Sequence, residues 1–157
     1  VGVCTDDVTK PKRISLEKRV WRHPHTREEE LMVEKLVERQ NKKIEENNKK
    51  TGEHNPPIPL FKGKVKSEEF YNMLQNEWKP DIIYMGTFGQ LLDNTIINTP
   101  PLGTFNAHPS DGVNWPSCVG PDPFEQMFNK GITSCAIALH HANDKFDDGQ
   151  FACFSEK

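Results

Sequence analysis

The alternation of short apolar runs with helix-like segments is the feature that most constrains the fold of this chain. Residues 81–85 are an apolar run after one acid, which is typical of a strand in a parallel sheet covered on both faces. Further strands are predicted at residues 1–4, 58–61, 104–106, 134–141 and 151–154, and helices at residues 27–51, 67–78 and 123–130. Strands that alternate with helices predict an α/β protein with an open, mostly parallel, twisted sheet.

The length of the chain, 157 residues, fits one domain, and we expect residues 1–157 to form it. The segment of about residues 40–54 is almost entirely polar, which predicts a solvated helix end or a mobile loop outside the core. We expect this polar excursion to be dispensable for chemistry, because ordering it would cost entropy without burying apolar surface.

Charge and hydropathy exclude several classes of protein. The net charge of -3 gives no strong signal for nucleic-acid binding. The sequence has no apolar run long enough to span a membrane and no secretory signal, so we expect a cytoplasmic protein. The four widely spaced cysteines are then expected to be buried thiols rather than disulfides or metal ligands. They are Cys4, Cys118, Cys135 and Cys153.

The sequence begins inside a predicted strand, at Val1. In an open α/β sheet of this kind the first strand lies inside the sheet, and losing it would expose apolar surface and unpaired backbone. We therefore expect about one βα unit to precede Val1, or a second molecule to fill the gap in a homodimer.

The segment Thr-Phe-Asn-Ala-His-Pro-Ser, residues 104–110, carries the clearest chemical signal. Asn106 can donate amide hydrogens, and His108 can donate or exchange a proton near neutral pH. Together they suit a carbonyl oxygen that gains negative charge while a nucleophile attacks its carbon. The alternative is a histidine at the end of a strand that only binds a loop carbonyl.

Two further segments add to this signal. Asp147, in the turn Phe-Asp-Asp-Gly of residues 146–149, would hold His108 in its charged form if the two met, and could help remove a proton from an attacking amine. Its alternative is an Asx turn. Residues 86–92 contain two glycines that allow the backbone to approach a flat ligand closely, although this loop is not a GxGxxG motif.

Taken in order along the chain, these segments resemble the formyltransferases that use 10-formyltetrahydrofolate. That family combines an apolar strand and glycine-containing loop, here residues 81–92, with Asn-x-His-Pro-Ser, here residues 106–110, and an Asp-x-Gly turn, here residues 147–149. The opening residues 1–7 also look like a strand and loop of the methionyl-tRNA enzymes. The chain departs from the family in residues 111–120, which differ in length and sequence near the expected acceptor site.

The resemblance implies a Rossmann-like fold, 10-formyltetrahydrofolate as formyl donor, and a small-molecule amine as acceptor: a nucleotide, a sugar or an aminoacyl group. It implies that Asn106, His108 and Asp147 are catalytic. Contacts with the donor are expected from Thr87, Phe88, Gly89, Leu91, Phe146 and Gly149. No metal is expected in this reaction.

Two other functions remain open at this point. A formyltetrahydrofolate hydrolase would use the same residues with water as the acceptor, and a folate-binding scaffold would keep the fold without the chemistry. Trp115 could stack on a pterin or acceptor ring, or could simply pack its own loop. His140 and His141 are expected to point to opposite faces of a strand, which argues against a shared metal.

Overall fold

A computed structural model describes residues 2–5, 32–86, 88, 90–120 and 122–156. The chain divides into two compact units, Val1–Lys64 and Val65–Lys157. The first unit contains β1 (Val3–Thr5), α1 (Met32–Thr51) and β2 (Leu60–Lys62). The second contains α2 (Glu68–Asn72), a π-helical segment (Met73–Trp78), β3 (Ile83–Gly86), α3 (Asn94–Ile97), β4 (Thr104–Ser110), α4 (Pro123–Asn129), β5 (Ala136–His141) and β6 (Phe151–Phe154).

In the first unit, β1 and β2 pair in parallel, with Cys4 opposite Phe61. The side chain of Asn41 in α1 fixes the segment that leads into β2. It accepts a hydrogen bond from the Ile58 N–H at 2.7 Å and donates one to the Ile58 carbonyl at 3.0 Å. Val37 of α1 is buried, so the helix contributes apolar surface near its start.

The polar excursion predicted at about residues 40–54 is the second half of α1 and the segment that follows it. Most of its side chains are exposed, as expected for a solvated helix end. The helix ends at Thr51, and Gly52 follows with φ 77°, a left-handed conformation that favours glycine. The predicted start of this helix, at residue 27, lies outside the described residues.

The second unit is built on a four-stranded sheet in the order β3-β4-β5-β6. β3 and β4 are parallel, whereas β4 with β5 and β5 with β6 are antiparallel. The α/β class and the open sheet are confirmed. The described residues contribute two parallel and two antiparallel strand pairs, so antiparallel pairing is more prominent than the sequence indicated.

The helix predicted after Ser67 is present. Ser67 caps α2 by accepting a hydrogen bond from the Phe70 N–H, and Phe70 and Leu74 are buried. Lys79, with φ 42°, ends the helical segment in a left-handed turn, and its N–H donates to the Leu74 carbonyl. This turn leads the chain toward β3.

β4 is longer than predicted, because it continues through Pro109 to Ser110 instead of turning after Asn106. Pro109 lies opposite Ile137, whose backbone N–H and carbonyl both bond to Ser155, on the far side from β4. The proline nitrogen therefore faces the β3 side, where pairing stops at Ala107. Among the described strands Pro109 therefore costs no ladder hydrogen bond, which explains how proline is tolerated inside β4.

The prediction of buried cysteines is wrong for two of the four. Cys118 is buried and Cys4 is partly buried, but Cys135 and Cys153 are exposed. Cys153 lies on β6, the last strand in the order of its sheet, where side chains reach solvent. None of the described helices has both the length and the apolar character needed to cross a membrane.

The loop after β4 is organised by the carboxylate of Asp111. One oxygen accepts from the N–H groups of Val113 and Asn114 at 2.9 and 3.0 Å, and the other accepts from the Ser117 hydroxyl at 2.8 Å. The hydrogen bond from Asn114 outweighs the opposing effect of burial, and with those from Val113 and Ser117 it lowers the pKa of Asp111 to about 2. The loop is thus held by a charged acceptor.

Gly149, just before β6, packs very closely against the end of β5. A Cβ atom placed on it would lie 1.6 Å from the His141 carbonyl oxygen and 3.1 Å from Nδ1 of His140. The register between β5 and β6 shifts at Leu139 and His140, and Gly149 is what allows the chain to pass this irregular region.

We predict that Gly149→Ala destabilises the protein by about 3 kcal/mol, the upper end of the usual cost of overpacking, because backbone atoms must move. Gly86→Ala is the matched control, since a Cβ there meets no atom within 4 Å, and it should change stability by less than about 0.5 kcal/mol. Urea denaturation of both variants measures the difference. Equal midpoints would contradict the described contact.

We predict that Asp111→Asn lowers the free energy of unfolding at neutral pH, because a charged acceptor binds its donors more strongly than a neutral one. A lowered folded-state pKa contributes stability that is complete above the unfolded value of 3.8 and is lost as pH falls toward about 2. The difference between the two proteins should therefore shrink over that window in urea denaturation. Asp144→Asn, at an exposed position, is the control. A difference independent of pH would refute the assignment.

Candidate active site

The site forms on β4, whose alternating side chains place Asn106 and His108 on one face. In the antiparallel register, Asn106 lies opposite His140 and His108 lies opposite Ala138. Ala138 is fully buried and small, which leaves room for the His108 imidazole above it. The two-residue spacing seen in the sequence is therefore the spacing of neighbours on one face of a strand.

Asp147 reaches these residues from the turn between β5 and β6. Its φ of 50° lies in the left-handed region, which aspartate tolerates better than most residues. Oδ1 of Asp147 accepts from Asn106 Nδ2 at 3.0 Å and lies 3.4 Å from His108 Nδ1. Oδ2 accepts from the Gly120 N–H at 3.1 Å. Asn106, His108 and Asp147 therefore converge in one cluster.

Both ring nitrogens of His108 face acceptors. Nε2 lies 3.0 Å from the carbonyl oxygen of Cys118, and Nδ1 faces the Asp147 carboxylate. A carbonyl only accepts, so Nε2 carries a hydrogen. Nδ1 forms an ion pair with Asp147 when the ring is charged. One nitrogen does bind a loop carbonyl, as the structural alternative expected, while the other is held by Asp147.

The carboxylate of Asp147 is mostly buried, with 11% of its side chain exposed. Burial alone would raise the pKa of Asp147. The N–H of Gly120 and the charge of His108 help to outweigh that effect, and the pKa is lowered below its usual value. Asp147 is thus a stabilised anion at neutral pH, and it lies beside the His108 imidazole.

His140 is the member of the cluster that sequence reasoning did not assign to it. Its side chain is 2% exposed, and Nε2 lies 3.1 Å from Asn106 Nδ2 and 3.8 Å from Asp147 Oδ1. As predicted from the alternation of β5, His140 and His141 lie on opposite faces of the strand, and His141 is exposed. Which of the two faces Asn106 depends on strand register, and the sequence alone did not fix that register.

The loop of residues 111–120 closes over the cluster. Trp115 stacks on His140 with ring centroids 4.5 Å apart and donates from Nε1 to the Gly149 carbonyl at 3.0 Å. The same loop supplies the Cys118 carbonyl and the Gly120 N–H. Trp115 thus packs within the protein, and its stacking on a pterin or acceptor ring stays a prediction.

The residues predicted to contact the donor lie in two places. Phe88 and Leu91 follow β3 and are half-buried, and β3 ends at Gly86 beside Ala107, next to Asn106 in β4. Phe146 is 62% exposed and adjoins Asp147, whereas Gly149 is buried. Thr87 and Gly89 lie outside the described residues. Their contacts with a donor, like those of the other four, stay predictions.

The cluster contains two histidines and a carboxylate, which are side chains that can bind metal ions. Among the described parts of the chain, no group of three His, Cys, Asp or Glu side chains is placed to hold a metal ion. In this cluster both nitrogens of His140 and Nε2 of His108 have hydrogen-bond partners, and Nδ1 of His108 faces the Asp147 carboxylate.

Comparison with known proteins places this site in a wider context. The chain is 32% identical to the methionyl-tRNA formyltransferase of Kosmotoga olearia over 96 residues, which are 60% of this chain and 30% of that protein. It is 31% identical to the methionyl-tRNA formyltransferase of Syntrophus aciditrophicus over 85 residues, 54% of this chain and 26% of that protein. The chain thus matches less than a third of the length of these relatives.

The crystal structure of glycinamide ribonucleotide transformylase 1 from Geobacillus kaustophilus is similar in fold. It superposes with a TM-score of 0.50 at 19% identity, over 72% of this chain and 60% of that one. The family model described as formyl transferase matches residues 18–155, nearly the whole chain, including all four members of the cluster. This chain belongs to the formyl transferase family.

Proposed function

We propose that this protein transfers a formyl group from 10-formyltetrahydrofolate to an acceptor amine, with Asn106, His108 and Asp147 as the catalytic residues. The observation that carries the proposal is that two hydrogen-bond donors, Asn106 Nδ2 and His108 Nδ1, converge on one negatively charged oxygen, Oδ1 of Asp147. Donors arranged in this way suit an oxyanion, and they lie in a chain of the formyl transferase family.

The reaction is a transfer between two nitrogens. The acceptor amine attacks the formyl carbon, a new carbon–nitrogen bond forms, and the formyl oxygen becomes negatively charged. The bond from that carbon to N10 of the folate then breaks, and N10 leaves with the proton that the amine has lost. Holding both partners side by side supplies much of the rate gain, and charge stabilisation supplies more.

Asn106 and His108 would stabilise the developing oxyanion. To do so, one N–H of Asn106 and the Nδ1–H of His108 must turn from Asp147 Oδ1 to the formyl oxygen. Both donors already point at one oxygen atom, Oδ1 of Asp147. A formyl oxygen placed beside that atom would therefore meet both donors after small movements. A charged imidazole donates more strongly than a neutral one, which favours the imidazolium of His108 in this role.

The role of Asp147 is mainly electrostatic. Its lowered pKa makes it a weak proton acceptor but a good counter-ion for the charged His108. Removal of the amine proton by Asp147 becomes easier once the formyl oxygen takes over its two donors, because those donors no longer stabilise the carboxylate. The same residue can then serve first as counter-ion and later as proton acceptor.

The donor would lie beside the loop after β3, near Phe88 and Leu91, with Phe146 beside Asp147. Contacts from Thr87 and Gly89 are proposed from the family resemblance alone. The chemistry of this set fits a flat pterin ring, since it combines aromatic and aliphatic side chains with a glycine backbone. The acceptor would be a small amine on a nucleotide, a sugar or an aminoacyl group. The named relatives differ in acceptor, so a panel of acceptors is needed.

The direct test is product analysis with the purified protein and 10-formyltetrahydrofolate. Glycinamide ribonucleotide, an amino sugar nucleotide and methionyl-tRNA are offered one at a time, and mass spectrometry follows tetrahydrofolate, formate and the formylated product. We expect stoichiometric formylation of one acceptor. Release of formate at the same rate with and without every acceptor would instead identify a hydrolase, and no turnover with any of them would contradict the proposed activity.

We predict that His108→Ala lowers kcat about 100- to 1000-fold, the usual cost of losing one oxyanion donor, while the protein stays folded. Steady-state kinetics measures the loss and urea denaturation checks the fold. His54→Ala, at an exposed position outside the cluster, is the control and should keep full activity. Near-normal turnover of the His108 variant would rule out the assigned role.

A further inference from the structure

His140 is the one buried titratable group of the cluster to which the proposed reaction gives no task. It lies on β5 directly opposite Asn106, with 2% of its side chain exposed. Burying an imidazole is costly unless its nitrogens have partners, and here both do. These partners determine which ring nitrogen carries the hydrogen, and that in turn determines the orientation of the Asn106 amide.

The tautomer of neutral His140 is fixed by its neighbours. Nδ1 lies 2.9 Å from the backbone carbonyl oxygen of His141, which only accepts, so Nδ1 carries the hydrogen. Nε2 of the neutral ring is then an acceptor, and Asn106 Nδ2 donates to it at 3.1 Å. Among the described side chains, the acceptor at Nε2 and the carboxylate oxygen of Asp147 receive the two amide hydrogens of Asn106.

This pairing leaves the Asn106 amide one orientation. If the amide were turned by 180°, its carbonyl oxygen would face the lone pair of His140 Nε2 and the negative Oδ1 of Asp147. Two repulsive contacts would replace two hydrogen bonds, in a region that excludes most water. The amide nitrogen is therefore held on the side where His108 Nδ1 also points.

The ring of His140 is itself held rigidly. Trp115 stacks on it with an interplanar angle of 27°, and Gly149 approaches so closely that a Cβ would lie 3.1 Å from Nδ1. Trp115 in turn donates to the carbonyl of Gly149, so the loop and the turn clamp the imidazole from two sides. A rigid ring can orient its hydrogen-bond partner accurately.

We propose that His140 is a positioning residue, whose neutral Nε2 aims the Asn106 amide so that its N–H can meet the formyl oxygen. His108 and His140 then have opposite tasks, since one donates from a charged ring and the other accepts with a neutral ring. The inference rests on the proposed formyl transfer, and it adds the requirement that His140 must accept a hydrogen bond.

The kinetic test compares two substitutions at His140 with a control on the same strand. In His140→Leu the acceptor is lost at similar volume, so kcat should fall roughly 10- to 100-fold, as expected when a catalytic group is misplaced by about 1 Å. In His140→Gln the side-chain oxygen can again accept from Asn106, so most of kcat should return. His141→Leu changes the exposed neighbour and should leave kcat unaltered.

The donor KM should change little in either variant, because Asn106 is proposed to act on the transition state rather than on donor binding. Full kcat in His140→Leu would overturn the positioning role while leaving the proposed function intact. A Gln variant that is folded but no better than the Leu variant would also overturn it, since acceptance of the hydrogen bond would then be irrelevant. An inactive unsubstituted protein would instead overturn the proposed function.

A second measurement does not depend on turnover or on the folding of a variant. In the 15N spectrum of the unsubstituted protein at neutral pH, His140 should show a protonated Nδ1 and an unprotonated Nε2, with a coupling from Nε2 to a side-chain amide hydrogen of Asn106. A ring with its hydrogen on Nε2, or on both nitrogens, would overturn the inference.

Discussion

The carboxylate of Asp147 is the interaction on which the rest of the site depends. It contacts two side chains of β4, those of Asn106 and His108, and the backbone N–H of Gly120 in the covering loop. A mostly buried anion is costly unless its lone pairs are satisfied, and here donors on three sides satisfy them. The charge of Asp147 thus orders the cluster, and the cluster keeps Asp147 charged.

The turn that carries Asp147 has an unusual backbone at two positions. Asp147 adopts a left-handed conformation, and Gly149 two residues later passes so close to His141 that no side chain fits. Both features sit beside the register shift between β5 and β6. Strained or special backbone positions often gather at functional sites, where the surrounding structure holds them in place. In the Asp-x-Gly pattern the aspartate therefore supplies the buried charge, and the glycine is needed because no side chain fits at its position.

The sequence predicted the parts of this protein that depend on local pattern. The end of the first helix near residue 51, the helix that begins near residue 67 and the strands around residues 83 and 151 follow from periodicity and turn chemistry. The family resemblance supplied Asn106, His108 and Asp147, and their convergence is observed. The order of motifs along the chain is shared within a family, which is why the convergence of these three residues could be predicted. Their catalytic roles stay predictions.

The parts that the sequence did not supply depend on register and on contacts between distant segments. The entry of His140 into the cluster needs the pairing of Asn106 with His140, which shifts if the strands slip by one residue. The length of β4 depends on where β3 stops, because only there can Pro109 continue the strand. The packing of Trp115 on His140 joins residues 25 positions apart, and no local pattern encodes it.

The central claim, that Asp147 and His108 act as one unit, is tested most directly by a double-mutant cycle on kcat for formyl transfer. The cycle uses His108→Ala, Asp147→Asn and the combination of both. If Asp147 works through His108, the double variant should be about as slow as the slower single variant, because residues that act as a unit are strongly non-additive. Losses that simply multiply in the double variant would show two independent contributions and would contradict this account.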